Sequence, residues 1–142
     1  MANEYSVALP IDAAAQRVWD LLADAPGYKR WNASVVSIDG PIQLGRTVKL
    51  VSAVNPGRTF VLKVTAMDPP RRLVWTGGMP LGLFTGTRTF LIESAGGGCR
   101  FSMSEVYTGL MSGLIFKSIP DLTDSFKQFA QSLKTEAERS AA

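Results

Sequence analysis

Residues 84–108 read FTGTRTFLIESAGGGCRFSMSEVYT and consist of two alternating runs joined by a glycine triplet. In both runs apolar and polar side chains alternate residue by residue, which is the period of a β-strand with one buried face. A two-residue turn at Gly96 and Gly97 pairs Ala95 with Gly98 and makes the two runs antiparallel. The stretch therefore predicts a β-hairpin, and with it an antiparallel sheet.

The register of this hairpin decides which side chains face each other. Each step outward from the turn along one strand matches a step along the other. The predicted cross-strand pairs are Ile92 with Phe101, Phe90 with Met103, and Arg88 with Glu105. These residues share the more apolar face of each strand with Phe84. Arg88 and Glu105 are thus predicted to lie opposite each other on a face that otherwise carries apolar side chains.

Charged residues on such a face need a partner, because an isolated buried charge costs several kcal/mol. A guanidinium opposite a carboxylate can form a bidentate, mutually neutralising pair. Three interpretations of Arg88 and Glu105 are open. They form a structural salt bridge near the end of the sheet, or they anchor a ligand in a cavity, or a longer glycine turn shifts the register and points Arg88 to water.

The residues before the hairpin predict a strand, two helices and four further strands. Strand periodicity covers residues 4–9, and a helix follows with Asp12 as its N-terminal cap. Pro26 and Gly27 end this helix before a short second helix or turn at residues 28–31. Alternating runs then mark strands at residues 35–39, 47–54, 58–68 and 72–77, before the hairpin strands at 85–94 and 99–108. Short, turn-rich connections between these strands predict an antiparallel meander.

The C-terminal part is predicted to be helical. Residues 109–116, GLMSGLIF, are apolar and are followed by Ser118 and Asp121 at the spacing of a capping box. An apolar stripe then repeats at helical spacing along a helix that runs to about residue 138. Its members are Leu122, Phe126, Phe129 and Leu133. Such a helix buries its stripe against one face of a sheet. The strand residues predicted on that face are Val48, Leu50, Ser52, Phe60, Leu62, Val64, Ala66, Leu73 and Trp75.

Composition excludes several classes of function. The 142 residues are 46% hydrophobic and 19% charged, with a net charge of +3 and no run of basic residues. This composition predicts one folded domain over residues 1–142 and offers no footprint for nucleic acid. The sequence has no histidine, which removes Ser-His pairs, HExxH zinc sites and switches near neutral pH. We therefore expect neither a metal nor a cofactor.

The sequence also bears on the compartment. Cys99 is the only cysteine, so it has no partner for an internal disulfide. The first residues lack the charged and apolar regions of a signal peptide, and no apolar stretch reaches the ~18 residues that span a bilayer. We expect a cytoplasmic protein without integral membrane association.

Several local strings resemble one known superfamily. They are LPIDAAAQRVWDLLAD, GYKRWN, LVWTGG, FTGTRTFLI, CRFSMSEVYTG and FKQFAQSLKTEAE. The sequence resembles the helix-grip superfamily of Bet v 1 allergens, START lipid-transfer domains and small bacterial polyketide cyclase/dehydrase-like (SRPBCC) proteins. This resemblance implies an α+β fold in which a curved seven-stranded antiparallel sheet surrounds a long C-terminal helix, with two short helices after the first strand. It also implies an elongated apolar cavity in which family members bind sterols, lipids, flavonoids, hormones or polyketides.

The first functional hypothesis is binding of a hydrophobic small molecule, lipid-, polyketide- or aromatic-like, in that cavity. Arg88, Glu105 and Tyr107 are the expected polar handles, and Arg88 would favour a carboxylate or enolate oxygen of the ligand. The candidate ligand-binding residues are Trp31, Leu50, Phe60, Leu62, Trp75, Phe84, Arg88, Phe90, Met103, Glu105, Tyr107, Leu114 and Phe126.

Two alternatives remain open. In a polyketide cyclase/dehydrase-type enzyme, Glu105 removes a proton while Arg88 or Tyr107 stabilises the developing enolate. An adjacent arginine, however, keeps Glu105 charged and makes it a weak base, so binding is favoured. In an interaction or membrane-associated accessory protein, residues 109–116 contact the partner, although they also suit a lid over the cavity. Both a monomer and a homodimer are compatible with the sequence.

Overall fold

The computed structural model describes residues 3–79 and 81–140. Within them the strands are β1 (Asn3–Ile11), β2 (Val35–Asp39), β3 (Thr47–Ser52), β4 (Phe60–Asp68), β5 (Arg72–Met79), β6 (Phe84–Ala95) and β7 (Gly98–Thr108). The helices are α1 (Ala15–Leu22), α2 (Tyr28–Trp31), α3 (Ser112–Ser118) and α4 (Thr123–Ser140). This order of elements is the one predicted from the sequence, with strand ends that differ by one or two residues at most positions.

All seven strands form one antiparallel sheet in the order β1-β7-β6-β5-β4-β3-β2. Strands β2 to β7 are a meander, as the short connections predict, whereas β1 pairs with the last strand, β7. The sheet curves into a half-barrel around α4. The predicted helix-grip-like α+β fold is therefore confirmed.

The hairpin register predicted for β6 and β7 is also confirmed. Ala95 pairs with Gly98, and Arg88 pairs with Glu105. Gly96 has φ +61°, the left-handed backbone conformation that a tight turn requires and that glycine adopts without strain. The two-residue turn therefore keeps Arg88 on the inner face.

Helix α4 packs its apolar stripe against the inner face of the sheet. Phe126, Phe129 and Leu133 are buried, and Leu122 packs against the same core just before the helix begins. The Phe129 ring stacks on Phe90 of β6 with their centroids 5.5 Å apart. Burial of such side chains contributes ~1.5–3 kcal/mol each, so this stripe holds the helix inside the curved sheet.

Two predicted helix caps are wrong. Helix α1 begins at Ala15 after Ala14, and Asp12 instead donates its backbone N–H to Glu138 of α4 at 2.8 Å. Helix α4 begins at Thr123, whose backbone N–H donates to the Asp121 carboxylate at 2.9 Å.

Ser118 takes no part in that N-terminus. Its hydroxyl donates to the Ile115 carbonyl at the end of α3. Ile119 precedes Pro120 and is extended, because the proline ring disfavours a helical conformation in the residue before it. The extended residue separates Ser118 from α4 and prevents the capping box.

One inward assignment in β4 is wrong as well. Val64 pairs with Trp75 and Met67 pairs with Leu73. These pairs are three residues apart on β4 but only two residues apart on β5, so β4 carries one extra residue. This bulge reverses the alternation beyond Val64. Met67 packs against the core, whereas Ala66 pairs with Val74 and lies on the other face.

Candidate functional site

A cavity of about 550 Å³ lies between the inner face of the sheet and α4. Its apolar wall comes from strands β3 to β7, from α3 and from α4, and includes Leu50, Phe60, Leu62, Met79, Phe84, Met103, Ile115, Leu122 and Phe126. The exposed lining residues belong to three segments: residues 54–61, the end of β5, and residues 118–120. The mouth of the cavity therefore opens between these segments, at one end of the sheet.

Most of the residues predicted to bind a ligand surround this space. The lining includes Leu50, Phe60, Leu62, Phe84, Arg88, Met103, Glu105, Tyr107 and Phe126. Their role in ligand binding stays a prediction, but the structure brings them together in one cavity. The inward alternation of five strands is the reason, because a curved sheet directs one face of every strand toward the same interior.

Four predicted ligand-binding residues lie elsewhere. Trp31, Trp75 and Phe90 are buried in an aromatic cluster that fills the other part of the interior; Trp31 contacts Phe129, and Trp75 contacts Phe90 with ring centroids 4.8 Å apart. Leu114 is 67% exposed on the outer side of α3. Strand alternation identifies the inner face but does not say where along it the helix leaves space.

Some lining residues were missed by the sequence analysis. Ile115, Ile119 and Pro120 line the cavity from α3 and the segment after it. The apolar run at 109–116 was the available signal for Ile115, but helical periodicity in so short a segment does not reveal which side faces inward. Gly86 also lines the cavity, and a Cβ there would lie 3.2 Å from the Tyr107 ring. A glycine at this position leaves room for that ring.

Three polar residues form a connected cluster on the cavity wall. Tyr107 donates from its hydroxyl to Glu105 Oε2 at 2.6 Å, and Arg88 donates from Nη2 to the same oxygen at 3.2 Å. The Arg88 guanidinium carbon also lies 4.8 Å from the centroid of the Phe126 ring, within cation–π range. The side chains of Arg88 and Glu105 are 14% and 12% exposed, so the cluster is largely shielded from bulk water.

The ion pair differs from the predicted bidentate arrangement. Both hydrogen bonds to Glu105 end on Oε2, and Arg88 makes a single contact with that oxygen. Among the described residues, Glu105 Oε1 and Arg88 Nη1 have no hydrogen-bond partner. Arg88 Nε also has none but is fully buried, whereas Oε1 and Nη1 are not. The cluster thus keeps one acceptor and one donor for a bound molecule.

The proton that Tyr107 contributes is firmly held. Burial raises the pKa of the Tyr107 phenol far above its ordinary value of 10.0, and the neighbouring Glu105 carboxylate raises it further. Tyr107 therefore stays a neutral hydrogen-bond donor at neutral pH and at moderately alkaline pH. Because it donates to Oε2, the other oxygen of Glu105 remains the available acceptor.

Helix α3 closes one end of the cavity. Its Phe116 ring lies 5.0 Å from Tyr5 and 5.7 Å from Tyr107, centroid to centroid. Just before the helix, the backbone N–H groups of Leu110 and Met111 donate to the carbonyls of the loop before β6. These contacts place α3 over the Tyr107 side of the cavity. That residues 109–116 move as a lid stays a prediction.

The sequence of residues 4–138 matches the family described as polyketide cyclase / dehydrase and lipid transport. The chain belongs to this family. The match covers all seven strands except for the first residue of β1, and most of α4. No curated protein matches the sequence.

Solved structures of similar fold span nearly the whole chain. The Zhui aromatase/cyclase from Streptomyces sp. R1128 has a TM-score of 0.77 at 13% identity and covers 100% of this chain and 97% of its own. Protein MLL2253 from Mesorhizobium loti has a TM-score of 0.75 at 14% identity, with coverages of 98% and 99%. The Aha1 dimer from Colwellia psychrerythraea has a TM-score of 0.70 at 18% identity, with coverages of 95% and 96%. At these identities the likeness shows the fold alone.

Two further findings apply to the described part of the chain. No helix there is both long enough and apolar enough to cross a membrane. No three residues of the kinds that bind metals, His, Cys, Asp or Glu, cluster in a geometry suited to an ion.

We predict that Arg88 and Glu105 are energetically coupled. The change Arg88→Ala should lower the free energy of unfolding by about 2 kcal/mol, because it leaves a largely buried carboxylate without its cation. Urea denaturation of Arg88→Ala, Glu105→Gln and the double variant measures this. The sum of the losses in the two single variants should exceed the loss in the double variant by ~1 kcal/mol.

Arg71→Ala is the matched control for this cycle, since Arg71 pairs with Asp68 while both side chains are more than half exposed. Its loss should stay below ~1 kcal/mol. Single losses from Arg88→Ala and Glu105→Gln that simply add would show that the pair contributes nothing to stability.

We also predict that Tyr107 makes the protein less stable at alkaline pH. A group whose pKa is raised on folding stabilises the folded state fully below its unfolded pKa, here about 10, and this contribution is lost as the pH rises further. Above pH ~10 the free energy of unfolding of wild type should therefore fall relative to that of Tyr107→Phe, by up to ~1.4 kcal/mol per pH unit. Denaturant unfolding at pH 9, 10 and 11 tests it; parallel pH profiles would contradict it.

Proposed function

We propose that this protein binds a hydrophobic small molecule, lipid-, polyketide- or aromatic-like, in the cavity between the sheet and α4. In this proposal the cluster of Arg88, Glu105 and Tyr107 orients the ligand. The single observation that carries the proposal is the buried polar cluster in a mostly apolar wall. Ligand pockets in proteins combine mostly apolar walls with a few placed polar groups, and volumes of ~300–1,000 Å³ are typical. The cavity volume of about 550 Å³ falls in that range.

Membership of the polyketide cyclase/dehydrase and lipid transport family supports the same proposal. Both activities in the family description require an apolar molecule to enter the protein. The wall offers apolar surface from Leu62, Phe84 and Met103 for the body of such a molecule. The polar cluster at Arg88 would hold an oxygen-bearing group at one end of the ligand. The ligand would therefore bind in one orientation.

A neutral, environment-sensitive dye tests the proposal. Nile red should bind the native protein at one molecule per chain, with increased fluorescence. Leu62→Trp should weaken binding by at least ~10-fold, because the larger side chain occupies the cavity. Leu91→Trp is the matched control, since Leu91 lies on the outer face of β6 away from the cavity, and should bind as wild type does.

Absence of Nile red binding to a folded protein would refute the cavity as a ligand site. Equal affinity in Leu62→Trp and wild type would show that the dye binds elsewhere. Circular dichroism of each variant shows whether the fold is retained.

A second candidate function is cyclisation of a poly-β-ketone. In this reaction the Glu105 carboxylate would take a proton from a carbon between two carbonyls, the enolate carbon would attack a second carbonyl, and the resulting alkoxide would take the proton back to become a hydroxyl. Dehydration would then remove this hydroxyl, together with a second proton from the attacking carbon, as water. Arg88 would stabilise the enolate oxygen. The description of the family and the fold shared with an aromatase/cyclase favour this candidate. Two hydrogen bonds to Glu105 Oε2 disfavour it, because they occupy one of the two oxygens that could accept the proton.

We predict that cyclisation, if it is the function, depends on Glu105. Wild type should convert a poly-β-ketone to a cyclised product with loss of water, and Glu105→Gln should lose this turnover while retaining Nile red binding. Mass spectrometry should show a product that is lighter than the substrate by about 18 Da for each water lost. Equal turnover in Glu105→Gln and wild type would remove Glu105 from the reaction.

A further inference from the structure

The charges on the cavity wall are few and unevenly placed. Among the described lining residues they are Arg58, Arg88 and Glu105. Arg58 is exposed at the mouth, where its guanidinium carbon lies 5.0 Å from the centroid of the Phe60 ring. Arg88 and Glu105 lie farther in and form an ion pair. The inner wall therefore carries no net charge.

This balance changes what Arg88 can attract. An arginine alone in an apolar cavity would bind a carboxylate. Here Glu105 already supplies the negative charge, and its Oε1 remains free beside the guanidinium. A carboxylate that approached Arg88 Nη1 would come close to this second carboxylate and would also lose its hydration, and both effects oppose binding.

An uncharged group with a donor beside an acceptor avoids both penalties. Its acceptor oxygen can take a hydrogen bond from Arg88 Nη1, while its donor can give one to Glu105 Oε1. Tyr107 keeps Glu105 in this role, because its hydroxyl occupies Oε2. The two free atoms of the cluster are thus complementary to a primary amide, a hydroxy-ketone or an enol.

We infer that Glu105 makes the cavity selective for uncharged ligands that present a hydrogen-bond donor beside an acceptor, and that it excludes carboxylates of the same shape. The inference rests on the proposed function, since it concerns a ligand held in that cavity. It assigns Glu105 as the residue that determines specificity, and it replaces the expectation that Arg88 favours a carboxylate.

Octanamide and octanoate test the inference, because the amide and the carboxylate have nearly the same shape and differ in charge. Displacement of Nile red at neutral pH gives both affinities. Wild type should bind octanamide more tightly. Any apolar cavity disfavours a charged ligand to some degree, so the decisive quantity is the change in the affinity ratio. Glu105→Gln should lower the amide-to-carboxylate ratio by at least ~10-fold, because Arg88 is then uncompensated.

Two variants serve as controls. Glu93→Gln makes the same chemical change on the exposed face of β6 and should leave the ratio unchanged. Arg100→Gln removes a cation on the outer face of β7 and should also leave it unchanged. Should Glu105→Gln fail to fold, Glu105→Met removes the same charge with a side chain of similar length, and its ratio should also fall below that of wild type.

The outcomes separate this inference from the proposed function. An amide-to-carboxylate ratio that is the same in wild type and in the folded Glu105 variants would overturn the selectivity. A ratio that changes as much in Arg100→Gln as in Glu105→Gln would overturn it too, because selection would then not depend on the cavity wall. Displacement of Nile red by neither ligand would also overturn it, while the cavity would stand as a binding site. Only failure of Nile red itself to bind would refute the proposed function.

Discussion

Arg88 and Glu105 face each other across β6 and β7 on a surface that is otherwise apolar, and this opposition of charges organises the cavity wall. Burying either charge there without its partner would be costly. The pair in turn depends on the register of one hairpin, in which Ala95 pairs with Gly98. A shift of one residue would turn one of the two side chains to the outer face, away from its partner. The geometry of a two-residue turn is therefore a precondition of the polar cluster.

The interior inside the curved sheet is divided into a packed part and an open part. The packed part holds the aromatic cluster around Phe129, which contacts Tyr28, Trp31 and Phe90. The open part lies toward the other end of the inner face, where Phe126 reaches the guanidinium of Arg88. One helix thus serves two purposes. Phe129 packs α4 into the aromatic cluster and also borders the cavity, and Phe126, one turn before it, lies on the cavity wall beside Arg88.

Family membership and local chemistry answer different questions about this protein. The match over residues 4–138 shows that the chain belongs to the polyketide cyclase / dehydrase and lipid transport family. At 13% to 18% identity, the similar structures say nothing about the reaction or ligand. Function has to be argued from the site, because one fold carries many chemistries. Here the site consists of a neutralised ion pair and a phenol, which suits recognition of a polar, uncharged group better than it suits proton abstraction.

Much of this structure follows from local sequence patterns. The alternation in residues 84–108 predicts the hairpin, its register and the opposition of Arg88 and Glu105, because the side-chain period of a strand and the length of a tight turn are local properties. The stripe of Phe126, Phe129 and Leu133 predicts which side of α4 is buried for the same reason. The bulge in β4 was not predicted, since it arises from pairing with β5 and leaves no periodic signal.

The distribution of space inside the sheet is a tertiary property. Trp75 and Met103 are both inward by alternation, yet Trp75 is packed in the aromatic cluster and Met103 lines the cavity. Only the path of α4 across the curved sheet decides between these outcomes. Apart from Ala66 and Met67 beyond the bulge in β4, the sequence by itself determined which strand residues face inward, and it determined which charges meet. The tertiary structure decided where the interior stays open, because this depends on contacts between residues far apart in the chain. It also decided which oxygen of Glu105 remains free, because this depends on where the side chains of Arg88 and Tyr107 lie around the carboxylate.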